Sequence, residues 1–573
     1  MGDWAKTLLR GTALALVLGG PAMAQAPGLA GDYLAARHAS MTGDFKAAAE
    51  HYGRAIIYDP ENAELLELGI LSNLALGDME RAIALAEKLA EKGQRSQAGQ
   101  MVRVAELGAK EDYTGILSQL SEDRGAGPLV DGLTKAWAEL GRGDMSAAIV
   151  QFDEMAQSDG LGPFASYHKA LALASVGDFE GAEALFAAQV AGGMQLTRRG
   201  VMARAEILSQ LERNDEAVAL IDDAFGTDTD PGLSQMRADL AAGERLSFTH
   251  IRSARDGLAE VFYTLAGALS NESNDDFTLL YARVAQYLRP EHTDVILLTA
   301  ELLEQLGQHD LAVQTYKTVP RDDPSFHAAE LGRAGALRAD DKTDAAIEVL
   351  EQLTRTHGDL PVVQSTLGDT LRQQDRFQDA IEAYTRALDT FSEPAPSQWF
   401  LYYARGICHE RLGNWEESEA DFRAALELNP DQPQVLNYLG YSLVERQEQL
   451  DEALEMIERA VASRPDSGYI VDSLGWVLYR LGRYDEAVGH MERAAELMPV
   501  DPVVNDHLGD VYWAVGRKLE AEFQWRRALS FVDLEDVSED ADPERIRRKL
   551  EVGLDAVLKD EGAPPLAVAN GSN

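Results

Sequence analysis

Between residues 468 and 499 the chain reads GYIVDSLGWVLYRLGRYDEAVGHMERAAELMP, and its apolar and small residues recur at spacings of three, four and seven. Leu474, Gly475 and Leu478 precede the turn LGRYD, and Ala487, Met491 and Ala494 follow it. That period belongs to a pair of amphipathic helices rather than to strands. Small residues at 475, 487 and 494 let the two helices approach closely, and Pro499 has no amide proton with which to continue the second one. The segment is therefore read as a helical hairpin. One hairpin leaves an apolar face uncovered, whereas a stack of them shares a continuous core.

The pattern repeats with an offset of 34 residues. With Gly475 at position 8 and Ala487 at position 20, units begin at Ala259, Thr293, His327 and Pro361, and position 20 is filled by Thr278, Ala312, Ala346 and Ala380. After an insertion containing Pro396 the phase resumes at Trp399 with Gly406, Phe422 and Ala425, then at Pro433, Gly468 and Pro502. Upstream the signal is weaker. Gly43, Phe45, Ala48, Tyr52, Ala55 and Pro60 fit a unit from Leu29, and the turns LGDMERA, RGDMSAA, VGDFEGA and ERNDEAV mark others. The reading gives about fourteen hairpins, the weakest lying near Gln97 to Arg124.

Glycine at position 8, alanine at 20 and 27, an aromatic near 24 and proline at 32, on a 34-residue period, resemble the tetratricopeptide repeat. The resemblance implies an all-α, right-handed superhelical α-solenoid whose first helices line a concave groove. More narrowly, LNYLGYSLVE, YIVDSLGWVLYRLGRY and NDHLGDVYWAVGR are similar to bacterial envelope repeat proteins, some of them lipoproteins that act as adaptors for carboxyl-terminal processing proteases.

The chain is expected to divide into a leader (1–24), a degenerate array (25–231), a helical connector (232–258) and a regular array (259–535). An acidic linker, a capping helix from Pro543 to Lys559 and a disordered tail complete it (536–573). In the leader, Lys6 and Arg10 precede the apolar run Gly11 to Gly20, and AMA follows before Gln25. This has the build of a secretory leader cut after Ala24, and its apolar run falls short of the roughly 20 residues of a membrane span. A periplasmic or secreted location without stable membrane insertion is expected.

Composition adds charge to this picture. The chain holds 52 Lys and Arg against 96 Asp and Glu, a net charge of −44, which repels nucleic acid and anionic lipid. The excess acid is either a solvated outer face or an attraction for basic partners. Cys408, the single cysteine, reads as a small buried apolar group and forms no intrachain disulfide. No nucleotide-binding loop, zinc-protease motif, nucleophile elbow or dinucleotide fingerprint occurs, and the loop DTDPG at 228–232 lacks the ligands of a calcium site. No enzyme activity, metal or cofactor is expected.

In the repeat family, positions 2, 5, 9 and 12 of the first helix point into the groove. Here they give Tyr403 and Glu410, Asn437 and Tyr441, Tyr469, Asp472, Trp476 and Tyr479, then Asp506, Asp510 and Trp513. Asn or Asp at position 5 in three successive units could form a ladder for the backbone of an extended peptide, with aromatic rings packing on its side chains. Alternatively, Trp476 and Trp513 fill space between neighbouring first helices. The function expected is a non-catalytic periplasmic scaffold for a protein or peptide, an envelope protease or its substrates being the partner that the narrower resemblance implies. The alternatives are an enzyme site assembled across hairpins and a scaffold for exopolysaccharide or secretion machinery.

The leader carries the first testable expectation. The mature chain should begin at Gln25 and leave the cell on osmotic shock without detergent. An uncut amino terminus in the membrane pellet would contradict it.

Overall fold

A computed structural model describes residues 28–121, 125–226, 230–270, 275–532, 541–563 and 565–566. The leader, the acidic run 533–540 and the end of the tail lie outside the described residues. Among those described, the structure is all-helical, with no strand.

The first twelve helices follow two by two: α1 (Leu29–Met41) and α2 (Phe45–Tyr58), α3 (Ala63–Leu76) and α4 (Met79–Glu91), α5 (Gln97–Ala109) and α6 (Tyr113–Ser121), α7 (Pro128–Gly141) and α8 (Met145–Ala156), α9 (Gly162–Ser175) and α10 (Phe179–Ala191), α11 (Arg198–Gln210) and α12 (Asn214–Phe225). A lone α13 (Pro231–Ala241) comes next. Then follow α14 (Ala254–Leu269) and α15 (Asp275–Leu288), α16 (Thr293–Gln305) and α17 (His309–Tyr316), α18 (Phe326–Ala339) and α19 (Thr343–His357), α20 (Pro361–Arg372) and α21 (Phe377–Asp389). A 3-10 turn at Pro396–Gln398 leads into α22 (Trp399–Arg411) and α23 (Trp415–Leu428), α24 (Pro433–Glu445) and α25 (Leu450–Ser463), α26 (Gly468–Arg480) and α27 (Tyr484–Leu497), α28 (Pro502–Ala514) and α29 (Lys518–Phe531). The short α30 (Pro543–Val552) and α31 (Leu554–Asp560) come last.

The hairpin turn has a local cause. Gly77 ends α3 at φ 88°, a left-handed conformation that glycine adopts without a Cβ clash, and the next residue, Asp78, accepts the Arg81 amide at 3.1 Å to cap α4. Gly–Asp does the same at 43–44, 143–144 and 177–178. Elsewhere Glu111, Glu212, Asp341, Asp375 and Gln447 hold the left-handed turn position at φ between 55° and 62°, against a steric penalty of about 1 kcal/mol or more.

Within a hairpin, the position-8 glycine lies directly under the position-24 side chain. A Cβ at Gly368 would overlap the Tyr384 ring, at Gly406 the Phe422 ring, at Gly475 the Met491 thioether and at Gly509 the Trp525 indole. Phe422, Met491 and Trp525 are fully buried there, as are the position-20 residues Ala312, Ala346, Ala380, Ala487 and Thr278.

The chain forms two compact units, residues 1–350 and 351–573. In the first, most hairpins touch their sequence neighbours, as a stack of repeats requires, but α14 and α15 depart from that rule. They pack on the first helices α3, α5 and α7. Gly257 of α14 faces Trp137 so closely that any Cβ would enter its ring, and Leu258 and Leu288 close over Gly108. Arg283 of α15 donates to the Ala75 carbonyl at 3.2 Å, Gln97 donates to the Tyr281 hydroxyl at 3.0 Å, and burial lowers the Arg283 pKa to about 10. The stretch before α14 is not wholly helical. Residues 244–250 are non-helical and pinned by Glu206, which accepts the Thr249 amide at 2.8 Å and its hydroxyl at 2.7 Å and bonds His250 at 2.8 Å.

In the second unit, the helix expected from Pro543 to Lys559 is broken in two at Gly553. Its φ of 84° and ψ of 155° fall where only glycine is comfortable, and the Trp513 ring presses where a Cβ would stand. The expected apolar face survives the break, with Ile546 and Leu554 fully buried and Leu550 and Leu558 against the same core. Gly553→Ala should therefore destabilise this end by about 1 to 3 kcal/mol from backbone strain alone. A lowered thermal melt is the expected readout, and an unchanged one would show that α31 does not need this bend.

Candidate functional site

The first helices of the second unit bring the sequence-derived residues into one column. At its centre Trp476 is 8% exposed, stacked between His507 at 3.9 Å and Tyr479 at 4.8 Å, and its indole N–H donates to Glu445 at 2.6 Å. Asp472 is buried and bonds the Nδ1 of His507 at 2.9 Å. One hairpin further on, Asp506 accepts from Lys549 of α30 at 2.7 Å, and Asp510 accepts from the same ammonium at 2.6 Å and from the Trp525 indole at 2.9 Å. Lys549 is fully buried. The position-5 acid of one first helix thus grips a base on the next element: Asp472 takes His507, and Asp506 takes Lys549. The terminal helix α30 stands where a further first helix would stand.

This arrangement gives the polar and aromatic composition of the column an internal use. Asp472, Trp476, Tyr479, Asp506 and Asp510 are interior groups, and the polar atoms of the acids that carry these bonds are committed within the chain. Asn437 is also buried, with its Oδ1 lacking a hydrogen bond. Trp513 is half-buried, leans on Trp525 at 5.3 Å and donates to Asp555 of α31 at 2.9 Å, while Lys518 lies over its ring at 4.4 Å. Tyr403 and Tyr441 are half-buried. Tyr403 sits among Trp399, Phe422 and Tyr438, and the Tyr438 hydroxyl donates to Glu410 at 3.4 Å.

What stands open is position 2. Val362 is 48% exposed, Phe400 41% and Tyr469 49%, all on first helices. Only Tyr469 emerged from the sequence reading. Phe400 and Val362 could have been found by reading position 2 in every unit, since an apolar residue there has no hairpin partner.

Sequence reasoning also missed an ionic cluster in the first unit. Glu260 of α14 is buried, bonded by Arg199 at 2.9 Å and by the Tyr167 hydroxyl at 2.8 Å, and Arg199 reaches Asp294 at 2.9 Å. Burial would raise the Glu260 pKa, but Arg199 and His292 outweigh it and hold the carboxyl well below its ordinary value. Its members come from α9, α11, α14 and α16, so no spacing in the sequence joins them. Among the described residues no group of His, Cys, Asp and Glu is placed to hold a metal ion, and no helix is long and apolar enough to cross a membrane. Cys408 is buried, which pushes its thiol up to about 12 and keeps it protonated.

Two buried histidines titrate in opposite senses. Burial lowers His168 to about 4, where its Nδ1 accepts the Trp137 indole N–H at 3.2 Å. Burial also disfavours charge on His507, yet Asp472, joined by Asp506 and Asp510, outweighs it and raises the ring above its ordinary value. By linkage, the stability tied to His168 is complete above the unfolded value of about 6.5 and is lost as pH falls toward 4. That tied to His507 is complete below about 6.5 and is lost as pH rises through its raised pKa. An NMR titration of the ring protons should find His168 neutral down to about pH 4 and His507 titrating above about 6.5, with Asp472→Asn lowering only the latter. Two rings titrating together near the ordinary value would contradict this.

Comparison with known proteins agrees with the period. The tetratricopeptide repeat family matches residues 33–97, 281–361, 365–433 and 436–502. A TPR repeat-containing protein of Pseudomonas aeruginosa is 28% identical over 184 residues, covering 32% of this chain and 30% of that one. Tetratricopeptide repeat protein 13 of Homo sapiens is 26% identical over 190 residues, covering 32% of this chain and 21% of that one. The chain thus spans less than a third of the length of these curated relatives. Among solved structures, the APC/C hetero-tetramer Cut9-Hcn1 aligns over 95% of this chain and 99% of that one, with 17% identity and a TM-score of 0.36. YrrB, described as a TPR protein with an unusual peptide-binding site, aligns over 32% of this chain and 93% of that one, with 20% identity and a TM-score of 0.28. The repeat that the sequence spells out, the glycine-to-ring packing that enforces it and the four matched stretches identify this chain as a tetratricopeptide repeat protein.

Proposed function

We propose that the chain is a non-catalytic scaffold of the bacterial envelope that holds a segment of another protein on the first-helix face of its second unit, as an adaptor in envelope protein assembly or turnover. Tetratricopeptide repeats bind proteins and peptides. The observation that carries the reading here is the set of exposed position-2 residues Val362, Phe400 and Tyr469 on α20, α22 and α26, with the half-buried rings of Tyr403 on α22 and Tyr441 on the intervening α24. Large apolar side chains that face water without serving a hairpin mark an interaction surface. Asp472, Asp506 and Asp510 contribute by holding successive first helices in register, and Trp476 by filling the space between them. The envelope location rests on the leader-like run before Gln25. A protease or its substrate is the partner class suggested by the looser resemblance, and the net charge of −44 favours a partner segment that is basic or uncharged between its apolar side chains.

The test separates surface from core. Phe400→Ser and Tyr469→Ser alter exposed positions and should leave the melt within about 0.5 kcal/mol of the parent, while abolishing capture of the partner that the parent protein retains from periplasmic extract. Trp476→Ala should instead cost about 3 to 5 kcal/mol of stability. Capture undiminished by the Phe400 and Tyr469 changes would overturn the assignment.

A further inference from the structure

The inner hairpin of the first unit, α14 and α15, lies over the first helices α3, α5 and α7, and meets α9 through α14 alone. Between α9, the loop leading into α11 and the last turns of α14 lies a cavity of about 430 Å³. Phe164 and Tyr167 form one wall, Met194 and Leu196 a second, and Tyr263 and Ala268 the third. Arg199 and Glu260 lie at its base, together with Asp294.

The charges at that base already answer one another. Arg199 is shared by Glu260 and Asp294, its guanidinium 5.8 Å from the Tyr263 ring centroid, and Arg198 is held by Asp230 through two bonds of 2.8 and 2.9 Å. An ionic ligand would have to break these pairs, at the cost of leaving buried charge uncompensated. An apolar body need break none of them, and the walls offer it aromatic, thioether and aliphatic surface. The cavity's size lies within the roughly 300–1,000 Å³ typical of ligand sites.

The kind of occupant is shown by what this face holds next door. The same side of the array is filled, along α3, α5 and α7, by apolar helices: Leu258 and Leu288 seat over Gly108, and α14 brings its backbone against Trp137 at Gly257. From this continuity we infer that the α9–α11–α14 cavity is a second docking site, taking one amphipathic helix of a partner protein whose Leu- or Phe-sized side chains enter between Phe164, Leu196 and Tyr263. The helix extends the layer begun by the inner hairpin. Its polar face is neutral or basic, because the chain as a whole is strongly acidic.

Gly267 provides the test. It lines the cavity, is exposed on α14, and a Cβ placed there meets nothing within 4 Å. Gly267→Leu therefore starts into open space at its Cβ and takes up room in the cavity that Gly267 lines, and leucine is a better helix former than glycine. Gly489→Leu is the matched control on α27, equally exposed and equally open. The probe is a fluorescein-labelled, lysine-flanked helical peptide of sixteen residues or so, about four turns, with leucines at one face, and a twin in which those leucines are serines. Anisotropy titration of the full chain should give binding of the leucine peptide that weakens at least about tenfold in Gly267→Leu and is unchanged in Gly489→Leu, with no binding of the twin. Three outcomes overturn the inference: equal binding by Gly267→Leu, which places the peptide elsewhere, including the second unit; equal binding of the twin, which makes the attraction one of charge alone; and no peptide binding where anilinonaphthalene sulfonate fluorescence is lost on Gly267→Leu, which makes the cavity a small-molecule site. Failure of the first-helix column in the second unit would leave all of these readouts unaffected.

Discussion

The contact between a position-8 glycine and the side chain sixteen residues later sets the terms for the hairpins of the second unit. Where Gly509 meets Trp525, or Gly368 meets Tyr384, the two helices of a hairpin come together at a distance no other residue would permit. That approach consumes positions 8, 20 and 24 in the hairpin's own core. It leaves the remaining face of each first helix without a partner in its own hairpin, and what becomes of that face differs along the chain. In the second unit, neighbouring first helices cover it by bonding acid to base. In the first unit, α14 and α15 cover it. Position 2 is left to water at Val362, Phe400 and Tyr469.

The hairpins were legible because their cause is local. A glycine that ends one helix, an aspartate that caps the next and an alanine that admits close packing lie within one period, and they repeat. The docking of α14 and α15 was not legible, since its bonds join residues such as Gln97 with Tyr281 and Ala75 with Arg283, far apart in sequence and unrelated by the period. The break at Gly553 depended on where Trp513 would lie, which only the packed structure reveals.

The column of candidate site residues carries a different lesson. Aromatic and acidic residues at positions 5, 9 and 12 look the same in a sequence whether they face a groove or a neighbouring helix. Asp472 and Asp506 lie on the helix face the repeat assigns them, yet each finds its base within the chain, because a histidine or lysine on the following element reaches it first. The pairing was invisible for the last unit, where Lys549 lies outside the 34-residue phase and follows a linker of different character.

The burial of Lys549 between Asp506 and Asp510 also makes α30 the keystone of the last hairpin. Neutralising that lysine alone, with α30 still in place, would keep two carboxylates in a site built to be dry and remove the ammonium they share. Stranding one member of a buried ionic pair is typically worth about 3 to 5 kcal/mol, a large share of the margin by which most domains remain folded. Without that charge α28 would lose its hold on α30, so a helix outside the 34-residue phase locks the hairpin before it.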